Sequence, residues 1–233
     1  MRINFVKGLL RKSSENAILN KMRTEWDDRA KENARHYVAT LRDNWTDADF
    51  FESGAGEVRQ HIESRLSEIC GARAPSELNM LEIGCGAGRM TMPLSKIFGH
   101  VDAVDISPEM IARAKIALRD CRNVRFHVNN GKDLAMFKND EFDFAFSGIV
   151  FQHIPSRAIV ENYIQETWRV LRSGALFVFQ VQGHSIPEST LNSWVGVGFR
   201  RDEMVDIAHR NRFVIREMTG EGTQYFWLAF TKP

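Results

Sequence analysis

Residues 81–89 read Leu-Glu-Ile-Gly-Cys-Gly-Ala-Gly-Arg, and this stretch decides the fold. The apolar run 78–83 is typical of a buried parallel strand, and the acid Glu82 lies at its end. Glycines then occupy the alternate positions 84, 86 and 88, and a helical pattern begins at Met90. A glycine-rich turn between a strand and a helix lets a ligand contact bare backbone. The stretch therefore predicts a ligand site at the end of the first strand of an α/β sheet.

The spacing of the glycines separates this turn from two other nucleotide-binding turns. A dinucleotide fingerprint, G-x-G-x-x-G, would place its last glycine at position 89, where the chain has Arg89. The phosphate loop that ends in Gly-Lys-Ser/Thr is not present either. The pattern E-x-G-x-G-x-G instead resembles motif I of the class I S-adenosylmethionine-dependent methyltransferases, whose turn wraps the amino-acid end of the cofactor. The resemblance implies S-adenosylmethionine as cofactor and S-adenosylhomocysteine as product.

Two further segments continue the resemblance. Asp105 ends the second predicted strand and resembles motif II, in which an acid accepts hydrogen bonds from both ribose hydroxyls. Nicotinamide dehydrogenases use an acid at the same place, so Asp105 alone does not choose between the two families. Asn130 precedes Gly131 after the third strand, where the family often has Asp; an amide can still bind the adenine edge, although the charge is lost.

Residues 142–155 resemble motif IV and its following segment, and residues 168–175 resemble the family's approach to its fifth strand. His153 follows the fourth strand, at the edge where parallel sheets bind ligands, and its ordinary pKa suits proton removal near neutrality. We therefore interpret His153 as a candidate general base, with a purely structural place in the wall as the alternative.

The resemblance implies a set of cofactor-binding residues. Two aromatic residues of the N-terminal region are included as a lid over the cofactor, with simple packing as the alternative. The set is Trp26, Tyr37, Glu82, Gly84, Cys85, Gly86, Gly88, Arg89, Asp105, Ile106, Met110, Asn130, Gly131, Lys132, Ser147, Gly148 and Gln152.

Alternating strand-like and helix-like segments from residue 78 onward predict an α/β fold. The predicted strands are 78–83, 101–105, 124–128, 142–146, 175–181, 213–218 and 224–231, and the last two should pair antiparallel. Helices are predicted from Pro108, from Pro155 to a stop at Ser173-Gly174, and over 201–209. The resemblance implies a seven-stranded, mostly parallel sheet in the order 3-2-1-4-5-7-6 with strand 7 antiparallel. Residues 1–56 are interpreted as a helical cap and 57–233 as the Rossmann-like domain.

Composition limits the partners. The chain has 31 basic and 30 acidic side chains, so no general attraction to nucleic acid is expected. Cys70, Cys85 and Cys121 lack metal-ligand spacing, and an odd number of cysteines favours a reduced, cytoplasmic compartment. No apolar run reaches the length of a membrane span. Residues 1–12 are basic and amphipathic, which permits contact with a membrane surface, although a packed or frayed helix is the simpler interpretation.

The sequence therefore predicts a methyltransferase that acts on a small organic acceptor, as a monomer or homodimer. Oxygen is the first expectation for the receiving atom, nitrogen the second, and carbon is possible. The alternatives are an NAD-dependent oxidoreductase and a catalytically silent binding protein with the same fold. The long connection 182–199 is expected to cover the acceptor pocket or to form a dimer contact.

Overall fold

Seven strands form one mixed sheet at the centre of the protein. The computed structural model describes the backbone of residues 2–233 and the side chains of residues 15–233. The strands are β1 Asn79–Ile83, β2 His100–Asp105, β3 Val124–Val128, β4 Phe142–Ser147, β5 Leu171–Val181, β6 Val214–Thr219 and β7 Phe226–Thr231. Their order is β3-β2-β1-β4-β5-β7-β6, and only β7 is antiparallel to its neighbours. The predicted fold and strand order are confirmed.

Helices cover both faces of this sheet. The described residues contain α1 Arg2–Val38, α2 Asp47–His61, α3 Leu66–Cys70, α4 Thr91–Ile97, α5 Pro108–Ala117, α6 Arg157–Val170 and α7 Arg201–Arg210. Helix α5 begins where the sequence predicts, because the Ser107 hydroxyl accepts a hydrogen bond from the Met110 N–H at 3.0 Å and Pro108 occupies the first turn.

The strands alternate between two hydrophobic clusters, one on each face of the sheet. In β5, Phe177 and Phe179 belong to one cluster, whereas Leu176 and Val178 belong to the other. Every residue of β4 is buried, which is typical of a strand at the centre of a parallel sheet. The sheet is therefore a rigid base that fixes the positions of the loops at its carboxyl edge.

One predicted strand begins earlier than expected. The sequence predicts a helix through Leu171, ended by Ser173-Gly174, and a strand from residue 175, whereas α6 ends at Val170 and β5 begins at Leu171. Leu171 pairs with Phe142 of β4, and its carbonyl accepts a hydrogen bond from Lys232 Nζ at 2.7 Å. Tertiary pairing thus holds these residues in the sheet, where Gly174 has a positive φ of 84°.

Helix α2 crosses the predicted boundary between residues 1–56 and 57–233. It continues through that point because Phe50, Gly54 and Val58 form one buried face. A Cβ on Gly54 would come within 2.1 Å of the Arg89 carbonyl oxygen, so α2 packs directly on the segment before α4. A boundary at residue 56 would cut one helix, and the cap is better described as α1 alone.

Helix α1 contacts the edge of the sheet at which the strands end. It is broken at Asn33, and its Asp27 accepts hydrogen bonds from the Ser107 hydroxyl at 2.5 Å and the Glu109 N–H at 3.1 Å. A carboxylate at the first turn of α5 stabilises that helix. Within residues 2–233, no helix combines the length and apolarity needed to cross a bilayer. The prediction for residues 1–12 lies outside the residues whose side chains are described.

Candidate active site

A cavity of about 400 Å³ lies at the carboxyl edge of the sheet, where β1, β2 and β4 end. In open parallel sheets this edge is where ligands bind, and the volume is within the range of small-molecule sites. The wall is formed by the turn after β1, the end of β2, the segment after β4, helix α1 and the connection 182–199.

The glycine turn presents bare backbone to this cavity. Gly84 and Gly86 have positive φ values of 78° and 53°, which glycine adopts without strain. The N–H groups of Gly84 and Cys85 both donate to the Val104 carbonyl, at 2.8 and 3.0 Å, and this fixes the turn to β2. A Cβ on Gly86 would lie 2.8 Å from Val38 Cγ2, so glycine is needed for α1 to approach so closely.

Asp105 places its carboxylate in the cavity wall next to the turn. Its two oxygens accept hydrogen bonds from the N–H groups of Gly86 and Ser107, each at 2.9 Å. Burial raises the pKa of Asp105 to about 6, although the two backbone hydrogen bonds oppose this rise. Each carboxylate oxygen can accept a further hydrogen bond, so Asp105 can bind a pair of hydroxyl groups.

Glu82 lies behind the glycine turn, and Arg89 lies beside it at the cavity wall. Burial raises the pKa of Glu82 to about 7, while the Thr91 hydroxyl, 2.6 Å from Oε2, and the Arg89 charge oppose the rise. Among the described residues, Glu82 Oε1 and Arg89 Nε have no hydrogen-bond partner. Only Arg89 lines the cavity. A buried guanidinium with a free N–H at a cavity wall is a suitable partner for a carboxylate.

Four rings form a further part of the wall, which we call the aromatic wall: Trp26, Tyr37, His153 and Trp194. The Trp26 ring centroid lies 5.4 Å from that of His153 and 6.2 Å from that of Trp194. The Arg29 guanidinium lies 4.8 Å from the Trp26 ring and donates to the Ser193 hydroxyl at 2.8 Å. Helix α1 and the connection 182–199 are thereby joined across the cavity.

A chain of hydrogen bonds fixes His153 in this wall. Gln180 Nε2 donates to Gln152 Oε1 at 2.9 Å, and Gln152 Nε2 lies 3.2 Å from His153 Nε2. His153 Nδ1 lies 2.8 Å from the Trp194 carbonyl, which can only accept, so we assign the proton to Nδ1 and the lone pair to Nε2. Burial lowers the pKa of His153 to about 4. The ring is therefore neutral at pH 7, and both of its nitrogens are engaged.

A methyltransferase-domain model matches residues 81–179, which extend from β1 into β5 and include the glycine turn and Asp105. These residues form a methyltransferase domain, of the kind found in the class I S-adenosylmethionine-dependent methyltransferases. The predicted family is thereby confirmed.

Two curated relatives of this chain are O-methyltransferases. The chain is 28% identical over 166 residues to malonyl-(acyl-carrier protein) O-methyltransferase 1 of Ilyobacter polytropus, covering 66% of this chain and 60% of that protein. It is 26% identical over 140 residues to a ubiquinone biosynthesis O-methyltransferase of Xanthomonas oryzae, covering 58% of this chain and 55% of that protein. The chain thus spans less than two thirds of the length of these relatives.

A solved structure extends the likeness in fold to almost the whole chain. The geranyl diphosphate C-methyltransferase of Streptomyces coelicolor, crystallised with Mg²⁺, geranyl diphosphate and S-adenosyl-L-homocysteine, has a TM-score of 0.65. The match covers 93% of this chain and 98% of that chain at 16% identity. At this identity the likeness concerns the fold alone.

Most of the predicted site residues line the cavity, and their contacts with a cofactor remain a prediction. The residues concerned are Trp26, Tyr37, Gly84, Cys85, Gly86, Arg89, Asp105, Ile106, Met110, Gly131, Gly148, Gln152 and His153. His153 lies where the sequence predicts, but its low pKa and engaged nitrogens disfavour the predicted role as general base.

Two predicted polar residues after β3 lie outside the cavity. Asn130 is exposed. Its Oδ1 accepts hydrogen bonds from the N–H groups of Lys132 and Asp133 at 2.9 and 3.0 Å, so its side chain closes a local turn. Lys132 Nζ instead lies 3.4 Å from Glu15 of α1. The neighbouring Asn129 lines the cavity in place of Asn130.

Three other predicted residues support the wall from behind. Glu82 is 1% exposed and bonds to Thr91, as described above. The Ser147 hydroxyl donates to the Ile83 carbonyl at 3.1 Å, which ties β4 to β1. A Cβ on Gly88 would lie 2.8 Å from Leu118 Cδ1, so this glycine serves the packing of the turn on the end of α5.

The sequence reasoning missed several lining residues. On α1, Met22 lies four residues before Trp26 on the same helical face, which could have revealed it, whereas Val38 lies beyond the break at Asn33. Gln182 and Tyr225 come from separate elements after β5 and before β7. No local motif marks these two residues, because only the antiparallel pairing of β5 with β7 brings them together.

Proposed function

We propose that this methyltransferase transfers a methyl group from S-adenosylmethionine to an oxygen atom of a small organic acceptor. The observation that carries the proposal is one cavity wall that combines bare backbone at Gly84 and Gly86, the carboxylate of Asp105 and the free N–H of Arg89. The residues present fit this cofactor. Asp105 would accept from the ribose hydroxyls, and Arg89 would bind the carboxylate of the amino-acid end.

The adenine would lie between the end of β2 and the turn after β3. Ile106 and Met110 provide apolar surface there, and Asn129 provides a polar edge. Gly131, with a φ of 84°, allows Ile106 to pack closely, because a Cβ on it would come within 2.3 Å of Ile106 Cδ1. A flat apolar slot with one polar edge suits a purine.

When bound, the cofactor supplies a methyl group that is already a strong electrophile. The protein's own contribution is to orient the acceptor and to exclude water, which the aromatic wall and the connection 182–199 are placed to do. Oxygen as the receiving atom is supported by the names of the two curated relatives, and transfer to nitrogen or carbon would be recognised from the product.

Calorimetry with a matched pair of glycine variants tests this proposal. Gly86 and Gly71 both have positive φ, at 53° and 57°, but a Cβ at position 71 would meet nothing within 4 Å, and Gly71 lies outside the cavity. Both alanine variants carry similar backbone strain. We expect S-adenosylmethionine to bind the wild type, Gly71→Ala to keep that affinity, and Gly86→Ala to weaken it at least about tenfold.

Two outcomes would contradict the proposal, the first from the same titration and the second from an assay of methyl transfer. Binding and thermal stabilisation by NAD rather than S-adenosylmethionine would favour the oxidoreductase alternative. Binding of S-adenosylmethionine without methyl transfer to any acceptor offered would favour the silent binding protein.

A further inference from the structure

Asp27 is a half-buried acid of helix α1 that does not line the cavity. Its Oδ1 accepts two hydrogen bonds from the start of α5, one from the Ser107 hydroxyl at 2.5 Å and one from the Glu109 N–H at 3.1 Å. Hydrogen bonds to an ionised carboxylate are about twice as strong as those between neutral groups. Asp27 therefore ties the first turn of α5 to a helix that is remote from it in sequence.

Ser107, which is fully buried, connects Asp27 to the carboxylate of Asp105. Its backbone N–H donates to Asp105 Oδ1 at 2.9 Å, and its hydroxyl accepts from the Met110 N–H at 3.0 Å. A hydroxyl has one proton, and donation of that proton to Asp27 leaves the oxygen lone pairs free to accept from Met110. Asp27 thereby helps to fix Ser107, and with it the N–H that is bonded to Asp105.

Packing of small residues brings α1 close enough for this contact. Ala30 lies three residues after Asp27, on the same face of α1 and before the break at Asn33. It is fully buried in the hydrophobic cluster that also contains Ala87 of the glycine turn and Met110 of α5. The hydrogen bonds of Asp27 therefore belong to a packed interface between α1, the turn and α5, and not to an isolated pair on the surface.

The orientation of the Asp105 carboxylate depends on two backbone N–H groups. Gly86 donates to Oδ2 and Ser107 donates to Oδ1, each at 2.9 Å. The Gly86 N–H belongs to the glycine turn, whereas the Ser107 N–H belongs to the segment that Asp27 ties down. Two neighbouring hydroxyl groups need a pair of acceptors in a fixed arrangement, and a binding group is effective only when its supporting contacts hold it there. The contact from α1 supplies part of that support.

From these contacts we propose that Asp27 is a positioning residue for the cofactor: through Ser107 it holds the Asp105 carboxylate in the orientation that accepts both ribose hydroxyls. The inference rests on the proposed methyltransferase function. Asp27 lies outside the cavity, so its effect on binding passes through Asp105. The rival is a capping role alone, in which Asp27 stabilises α5 and leaves the contacts of Asp105 with the ribose unchanged.

The first experiment measures the affinity for S-adenosylhomocysteine by calorimetry. Asp27→Ala removes the hydrogen-bond acceptor, and alanine is a strong helix former, so we expect α1 to stay formed and the affinity to fall about tenfold. Asp28→Ala is the matched control, because Asp28 is the next residue of α1, is exposed and pairs with Lys31 at 3.6 Å. It should keep the affinity of the wild type. With both variants folded by their melting temperatures, an unchanged affinity in Asp27→Ala or an equal loss in Asp28→Ala would overturn the inference.

Two further variants test the connection through Ser107. Asp27→Asn keeps an oxygen that can accept from the Ser107 hydroxyl and the Glu109 N–H, so its affinity should stay within about threefold of the wild type. Ser107→Ala breaks the same contact from the side of α5, and we expect it to weaken binding at least as much as Asp27→Ala. A loss in Asp27→Asn equal to that in Asp27→Ala, or wild-type affinity in Ser107→Ala, would contradict the connection.

A double-mutant cycle with Asp105→Asn separates positioning from capping. Substitutions that act through one chain of contacts are not additive. In the Asp105→Asn background the ribose contacts are already weakened, so adding Asp27→Ala should lower the affinity by less than about threefold. A further tenfold loss would show that Asp27 acts independently of Asp105 and would overturn the assignment. A wild type that binds no S-adenosylhomocysteine would refute the proposed function itself, whereas equal binding by the wild type and Asp27→Ala would refute only this inference.

Discussion

The two edges of the sheet hold their buried carboxylates in opposite ways. At the amino edge, Asp143 Oδ1 accepts from Arg73 and Arg172, each at 2.7 Å, and Oδ2 accepts from the Asn79 N–H at 2.8 Å. Burial alone would raise the pKa of Asp143, but these partners hold it below its usual range. At the carboxyl edge burial prevails, and the pKa values rise to about 7 for Glu82 and about 6 for Asp105.

This difference separates a carboxylate that is paired with two guanidinium groups from two carboxylates at or behind the cavity wall in which burial dominates. Asp143 has its hydrogen bonds satisfied within the protein, whereas Glu82 Oε1 and Arg89 Nε lack partners in the part of the chain that the structure describes. Groups with strongly shifted pKa values and open hydrogen-bonding positions gather at functional sites, where stability is sacrificed. Substitutions at the two edges should therefore affect different measurements.

The largest effect should come from the amino edge. Asp143→Ala leaves Arg73 and Arg172 without their shared partner, and we expect a loss of about 3 kcal/mol in the free energy of unfolding at pH 7. Because the pKa of Asp143 is lowered in the folded protein, its full contribution to the free energy of unfolding is present above pH 3.8. This contribution is lost as the pH falls through the pKa of the folded state. Denaturation at pH 7 and in acid measures it. Weaker binding of S-adenosylmethionine to the folded variant would contradict the division between the edges.

Asp105→Asn should show the opposite behaviour. The amide of asparagine keeps one oxygen acceptor, but the negative charge and one hydrogen bond from the backbone are lost. We therefore expect S-adenosylmethionine to bind about thirtyfold more weakly, which is a loss of about 2 kcal/mol in binding free energy. Asp102→Asn is the matched control, because Asp102 lies on the same strand and pairs with His127 at 2.6 Å, outside the cavity. Calorimetry compares the two. Equal losses of affinity would show that the effect comes from β2 rather than from the site.

Glu82→Gln should stabilise the cofactor-free protein in a pH-dependent way. The raised pKa means that the folded protein holds this proton more tightly than the unfolded chain, so wild-type stability falls as the pH rises from about 4.5 to about 7. Glutamine removes that loss. We expect the variant to equal the wild type near pH 4.5 and to exceed it by about 2 kcal/mol at pH 8. A constant difference across this range would contradict the assigned titration.

The wall assigned to the cofactor could be predicted because the residues that mark it lie close together along the chain. The run of glycines after an apolar strand and the acid at the end of the next strand are each contained in a short stretch, and their positions follow from parallel pairing of β1 with β2. The same locality explains why Ser107 and Pro108 marked the start of α5. The sequence could not show that Asn130 lies outside the cavity, because an Asn-Gly pair forms a turn with or without a ligand.

The aromatic wall and the residues beside it could not be predicted in the same way. Gln182, Trp194 and Tyr225 meet only after the sheet is assembled, and no spacing along the chain encodes their distance. The ordinary pKa of histidine suggested a base at His153, whereas burial and the bond to Trp194 depend on tertiary packing. Likewise, the early start of β5 at Leu171 depends on the pairing of Leu171 with Phe142 of β4, which no local pattern encodes.

Helix α1 touches both walls of the cavity. Arg23 donates to the Asn129 carbonyl at 3.3 Å beside the part of the cavity assigned to the adenine, and Arg29 donates to Ser193 beside the aromatic wall. Two ligands that each displace this helix would therefore be coupled through it. Thermodynamic reciprocity requires that such ligands alter each other's affinity by the same factor, whichever of them binds first.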